Sequence, residues 1–159
     1  MIAASRRSVV ATLVAGSMLL FAGVAQAQAK KALTWGPAPD AFPAGAKMAV
    51  ESGDPTKSGE FVVRLSFPDG YKIPPHWHPT DEHVKVRSGA FLVGMGDKLD
   101  ASKTKKLTPG DTATMTAKAH HFAIAQGATQ VTVTAIGPFA MTYVNPADDP
   151  RNKAKPKTK

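Results

Sequence analysis

Between Gly70 and Gly89 the chain reads GYKIPPHWHPTDEHVKVRSG, with His76 and His78 two residues apart, Glu82 four further on, and a glycine at each end. Side chains at i and i+2 of a strand leave the same face, so both imidazoles can reach one ion, while Glu82 follows a short bend at Pro79. A fourth ligand is then wanted, and it arrives at His121, beyond the Gly110-Asp111 turn of the stretch GDTATMTAKAHH. Ligands so far apart in sequence share an ion only where their strands lie side by side and face inward. The pattern therefore asks for a closed β-structure whose inner faces meet.

The rest of the chain supplies such strands. Phe61 to Phe67 reads FVVRLSF, Val84 to Val86 runs toward the Ser88-Gly89 turn, Ala90 to Met95 reads AFLVGM, Thr112 to Thr116 precedes His121, Gln130 to Ile136 reads QVTVTAI, and Phe139 to Val144 forms a last strand. These are short runs rich in β-branched and aromatic residues. Between them stand Pro68-Asp69-Gly70, Gly96-Asp97, Pro109-Gly110-Asp111 and Gln126-Gly127, which is turn chemistry. Helical periodicity is hard to find after the first segment, so the fold class is all-β, a single sandwich or barrel over 56–146. Gly70, Gly89 and Gly110 are read as backbone positions with positive φ or tight turns.

At these residues the chain resembles the cupin superfamily. Its first motif, G-x5-H-x-H-x3-E-x6-G, is matched at every fixed position from Gly70 to Gly89. The second motif, G-x5-P-x-G-x2-H-x3-N, keeps Gly110 and His121, whereas Thr116, Lys118 and Ala125 stand where proline, glycine and asparagine are usual. The short connection between Gly89 and Gly110 is similar to that of single-domain bacterial cupins. The resemblance implies a jelly-roll β-barrel (a double-stranded β-helix) and one divalent transition-metal ion held by His76, His78, Glu82 and His121. Iron, manganese, zinc, nickel and copper are not distinguished by this ligand set.

A lone His-x-His in a β-rich chain is more often surface or packing than ligand; here the glutamate, the glycines and the second histidine at matching offsets shift the balance. His83 and His120 are sequence neighbours of ligands, but period-two alternation turns them to the outer face. Parity also points Trp77 away from the ion. Tyr71 and Trp77 are placed at the mouth of the barrel, Met95 in or near the pocket, and Phe91, Val93, Phe122 and Ile124 between core and lumen. Arg64 and Arg87 are the arginines of the motif region and neither makes an obvious clamp for a dianion, so a small, weakly charged organic ligand fits better than oxalate or phosphate.

The first 27 residues have the make-up of a cleavable export signal: Arg6 and Arg7, an uncharged apolar run from Val9 to Ala25, and a small-x-small site at Ala25-Gln26-Ala27. The run is shorter than the ~20 apolar residues of a spanning helix, which argues against a lasting membrane anchor. Ser5 to Val10 partly resembles a twin-arginine signal, so both export routes stay open and the expected location is periplasmic or secreted. There is no cysteine, which removes disulfides, thiolate ligands and thiol nucleophiles. About 132 residues would remain after cleavage, enough for one domain. The formal charge of +8 sits mostly at the ends, because residues 28–150 carry thirteen basic and twelve acidic side chains. The tail over 147–159 reads as a disordered, solvated end rather than a nucleic-acid site.

Residues 28–55 form a proline-rich arm with Trp35, Pro37, Pro39, Phe42, Pro43 and Met48, expected to wrap the outside of the barrel. In cupins such arms often join subunits, which is compatible with a homodimer, though the sequence itself does not establish one. Three imidazoles and one carboxylate leave a coordination position open for water, dioxygen or substrate. Two functions follow: a metal-dependent enzyme of oxygenase or isomerase type acting on a small organic molecule, or a non-catalytic module that binds or senses a small molecule or the metal. Fold and ligands alone do not choose between them.

Overall fold

The computed structural model describes residues 32–153; the export signal expected over 1–27 and the end of the tail over 154–159 lie outside the described residues. The elements are nine strands: β1 (Gly36–Pro37), β2 (Lys47–Ser52), β3 (Gly59–Phe67), β4 (Lys72–Trp77), β5 (Glu82–Met95), β6 (Thr104–Leu107), β7 (Thr112–Met115), β8 (His121–Gly137) and β9 (Thr142–Tyr143). Two short 3-10 turns, Ala101–Lys103 and Pro146–Asp148, and one helical turn, Pro150–Lys153, complete them. The all-β reading from the alternating runs is therefore correct.

The two longest strands organise the rest. On one edge β8 pairs first with β4, from His76 opposite His121 to Lys72 opposite Ile124, and then with β3, from Phe67 opposite Thr129 to Gly59 opposite Gly137. On its other edge it follows β5 from Met95 opposite His121 to Glu82 opposite Ala135. The far edge of β5 carries β7 along its first half and β6 along its second. Each long strand thus runs through two half-sheets, β1-β2-β3-β8-β5-β7 and β9-β4-β8-β5-β6, and the sheet curls so that their inner faces meet as in a jelly roll.

Alternation decides which side chains fill the interior. Phe61, Val63, Leu65 and Phe67 of β3 are buried together with Val84, Val86, Phe91 and Val93 of β5 and with Ala123, Ala125, Val131, Val133 and Ala135 of β8. The two halves are locked by Phe67, whose ring stacks on Phe91 of the opposite half at 5.7 Å and on Tyr71 at 5.0 Å. Fully burying side chains of this size contributes about 1.5–3 kcal/mol each, so the barrel has a source of stability separate from any metal.

The arm differs from expectation. Instead of only wrapping the outside, it adds β1 and β2 beside β3 and inserts Phe42 into the core, 6.5 Å from Phe67. Its prolines stand at the ends or outside of β2, which leaves six residues free to pair. Two tyrosines pin it: the Tyr143 hydroxyl donates to the Ala41 carbonyl at 2.7 Å and the Tyr71 hydroxyl donates to the Pro43 carbonyl. Tyr71 is accordingly buried rather than at a mouth. The tail is ordered further than expected, because Arg151 pairs with Asp149 and donates to the Met141 carbonyl at 3.0 Å.

Gly89 is where β5 passes from one half-sheet to the other. Its register with β8 is irregular on both sides of Ser88, its φ is +72°, and an added Cβ would lie 2.5 Å from the Ala128 carbonyl oxygen and 2.8 Å from the Thr129 Cα. Both obstacles are backbone and neither can swing away. Gly89→Ala is expected to destabilise the protein by about 2 kcal/mol or more, read as a lower urea midpoint; an unchanged midpoint would contradict this account of the bend.

Candidate metal centre

His76 lies directly across from His121 in the β4–β8 ladder, so the antiparallel register places the two imidazoles on the same inner face. The ladder is interrupted between Ile73 and His76, where Pro74 and Pro75 have no N–H to give. His78 stands just beyond β4, and Glu82 opens β5 opposite Ala135 of β8 and Met115 of β7. All four side chains predicted as ligands are buried, and the strands bring them together.

The three imidazoles offer ring nitrogens that lie within 4.8 Å of one another. Each is oriented by its other nitrogen: His76 Nδ1 donates to the Pro74 carbonyl at 2.7 Å, His78 Nδ1 to the Ala140 carbonyl at 2.7 Å and His121 Nδ1 to the Ala119 carbonyl at 2.9 Å. A carbonyl accepts and never donates, so Nδ1 carries the proton and Nε2 keeps its lone pair. Nε2 of His78 and of His121 is buried without a hydrogen-bond partner. The Glu82 Oε2 stands at the edge of this group, 3.5 Å from His121 Nε2 and 3.7 Å from His78 Nε2. Buried polar atoms left without partners are uncommon in folded proteins, and a backbone-anchored imidazole with a free Nε2 is the arrangement that ligates metals. The residues thus fit a divalent ion, and the interior cavity that His76, Glu82 and His121 line with Met115 and Met141 has about 20 Å³ of room for the centre of a water molecule.

Electrostatics prepare the same set. Burial, reinforced by the neighbouring His121 and His78, lowers the pKa of His76 from 6.5 to about 3, and burial likewise lowers that of His78. For Glu82, burial alone would raise the carboxyl, but the neighbouring imidazoles, His121 foremost, outweigh it and hold the group below its usual range. At neutral pH the cluster is two or more neutral imidazoles facing a carboxylate, the protonation state that metal binding requires.

The turn that carries His121 explains how the second motif works without its usual residues. Lys118, where a glycine is usual, takes a φ of 63°, a conformation that costs a side-chain-bearing residue about 1 kcal/mol or more. In return its N–H bonds the His78 carbonyl at 2.8 Å, and the Ala117 N–H bonds the Asp81 carboxylate at 2.8 Å. The loop before His121 is thereby tied to the loop between His78 and Glu82. As parity requires, His83 faces outward, bonded to Thr114 at 2.9 Å, and His120 pairs with Asp97 at 2.6 Å; neither joins the cluster. Trp77 is half-buried. Met95 does not line the cavity; as the last residue of β5 it extends past the covering strands and is 57% exposed. Phe91 and Val93 do line it, whereas Phe122 has the opposite parity to Ala123 and sits over Gly94.

Sequence reading did not find Phe139, Ala140 and Met141 as parts of the site. Phe139 stacks on His78 with ring centroids 4.6 Å apart, Ala140 supplies the carbonyl that orients His78, and Met141 lines the cavity. The segment lies more than sixty residues from His78, and its small and apolar residues carry no motif.

Neither a protein-family profile nor a curated protein matches the sequence. Among solved structures the chain is similar to the polyketide cyclase RemF of Streptomyces resistomycificus, at 16% identity and a TM-score of 0.55 over 66% of this chain and 75% of that one. It is similar to an oxalate oxidase at 21% identity and a TM-score of 0.51, over 67% of this chain and 59% of that one. An RmlC-like cupin of Shewanella frigidimarina gives 22% identity and a TM-score of 0.49, over 58% and 76%. With the cyclase and the oxidase this chain shares its fold, a β-barrel of jelly-roll type. Within the barrel, Gly70, Gly89 and Gly110 hold φ values of +72°, +72° and +98°, the backbone role expected of them.

Two outcomes follow from this geometry. Replacing His76 or His121 by alanine lowers metal affinity by about tenfold or more while the circular dichroism spectrum stays native, because the aromatic core is stabilised by its own burial and not by an ion; His83→Ala leaves metal content unchanged. Equal metal content in the His76 or His121 variants, by elemental mass spectrometry, would contradict the assignment. The second outcome concerns pH. His76 and His78 bind protons in the unfolded chain below pH 6.5 but resist them when folded, His76 down toward about 3, so their contribution to stability is whole above 6.5 and is lost as pH falls. Glu82, with its lowered carboxyl, acts in the same direction. The metal-free protein is expected to show a urea midpoint that declines between pH 7 and pH 5; a rising midpoint would show the opposite linkage.

Proposed function

We propose that this chain is an exported, metal-dependent enzyme of oxygenase or isomerase type that acts on a small organic molecule. The observation that carries this reading is the set of three backbone-anchored imidazoles with Nε2 lone pairs converging beside Glu82. Structural neighbours with TM-scores above 0.5 include enzymes, an oxalate oxidase and a polyketide cyclase, which is compatible with catalysis without naming its substrate. A divalent ion here would polarise a carbonyl, enol or phenol oxygen, or serve oxygen chemistry if it is iron or manganese.

The protein's own contributions can be stated apart from the ion. Pro74, Ala119 and Ala140 hold the imidazoles by their carbonyls, so the ligands do not reorganise when an ion enters. Glu82 offsets part of a dication's charge, which neutral imidazoles cannot do. The apolar walls around the cluster exclude bulk water, and that strengthens each electrostatic contact inside. Export rests on residues 1–27, and isolation of a chain beginning at Gln28 from the cell envelope would support it.

The narrowness of the ion cavity, about 20 Å³, favours a second reading in which the metal itself is cargo or signal. A panel of diketones, quinols and keto acids, followed by oxygen consumption and product analysis, separates the two. The enzyme reading predicts turnover by metal-loaded protein and a loss of about tenfold or more in Glu82→Gln, whose fold is retained. Stable metal and ligand binding with no turnover of any member would move the assignment to the binding module.

A further inference from the structure

A second cavity of about 400 Å³ lies beside the ion cavity and shares Phe42, Leu65, Val133 and Met141 with it. This is within the ~300–1,000 Å³ of ordinary small-molecule sites, while the ion cavity alone admits little more than a water molecule. Its walls come from distant parts of the chain. Phe61 and Val63 of β3 form the floor, Met48 of β2 and Phe42 of the arm form one side, and Phe139 to Met141 form the other. The same segment that orients and stacks on His78 therefore also walls the larger cavity.

Its polar lining is sparse. Asp40, Thr56 and Arg151 contribute, and the remaining residues are apolar. Arg151 is the one cation among the described lining residues, and its guanidinium is already engaged by Asp149 through bonds of 2.8 and 2.7 Å. A dianion entering this space would find that charge neutralised and Asp40 opposing it. Aromatic edges and faces are plentiful, since Phe61 and Phe139 meet edge-on at 5.4 Å.

We infer that this recess is the ligand site of the protein, and that it takes an uncharged, ring-bearing organic molecule whose oxygen end passes Met141 toward the imidazole cluster. The rings lie against Phe61 and Phe139, and small dicarboxylates are rejected for want of a free cation. Recognition of the oxygen end rests on the proposed metal-dependent reading; seating of the rings does not. Because Ala140 both walls the recess and bonds His78, a ligand in the recess contacts the segment that orients a metal ligand.

The probe is 2-naphthol, with oxalate as the contrasting anion, each titrated into isotope-labelled, zinc-loaded protein and followed by amide NMR shifts. The expected result is saturable binding of 2-naphthol with shifts concentrated at Phe42, Phe139, Ala140 and Met141, and no such shifts with oxalate. Ala140→Trp and Thr56→Trp, which fill the recess from its wall and its rim, each weaken binding by about tenfold or more. The His76→Ala/His121→Ala double variant, without zinc, still shows the same 2-naphthol shifts, so a failure of the metal reading would be seen separately as absent zinc. Non-saturable binding, shifts away from the four residues, oxalate shifts at them, or undiminished affinity in both natively folded tryptophan variants would overturn the inference.

Discussion

The site depends on the pairing of two long strands, β5 and β8, along nearly their whole length. That pairing puts Glu82, opposite Ala135, and His121, opposite Met95, at the two ends of one ladder; the curl of the sheet brings them back to 3.5 Å from each other, and β4 docks on β8 with His76 beside His121. Inward parity is inherited from the ladder, so a slip of one residue would turn the ligands outward and bring His83 and His120 in their place. The core that holds the register, above all Phe67 between Phe91 and Tyr71, is built from residues that take no part in the chemistry. Stability and function are divided between neighbouring layers of one interior.

Within that frame the imidazoles are positioned by backbone carbonyls rather than by acidic partners. Pro74 and Ala119 lie two residues before the histidines they orient, whereas Ala140 is brought to His78 by the fold. Such anchoring leaves the only buried carboxylate, among the described residues, facing the ring nitrogens instead of supporting them from behind. The arrangement favours a compact dication, and the apolar recess next to it favours a neutral organic molecule. On the proposed enzymatic reading, the protein's share is position and exclusion of water.

The ligand set and the barrel were legible because both are local patterns. His76, His78 and Glu82 follow strand parity, His121 follows a turn, and alternation in β3 and β8 shows directly in the buried residues. What could not be read was tertiary. Nothing near Phe42 in sequence tells that it enters the core, and the prolines around β2 concealed a strand that needs only six residues to pair. Lys118 adopts a glycine-like φ because two loop-to-loop hydrogen bonds hold it there, a compensation invisible from composition. Met95 kept the parity expected of it and still lies exposed, since alternation says which face a side chain takes but not where the covering strands stop. Phe139 to Met141 were missed for the same reason: their role comes from where they are folded, and their side chains are ordinary.

The central claim is that His76, His78 and His121 bind one ion together through Nε2, with Glu82 beside them. X-ray absorption at the metal edge, on protein isolated without added metal, tests it most directly. The account predicts a bound ion with three imidazole rings in its scattering shell and oxygen in the remaining positions. An ion carrying one imidazole or none, or protein that retains no ion and takes none up, would contradict it.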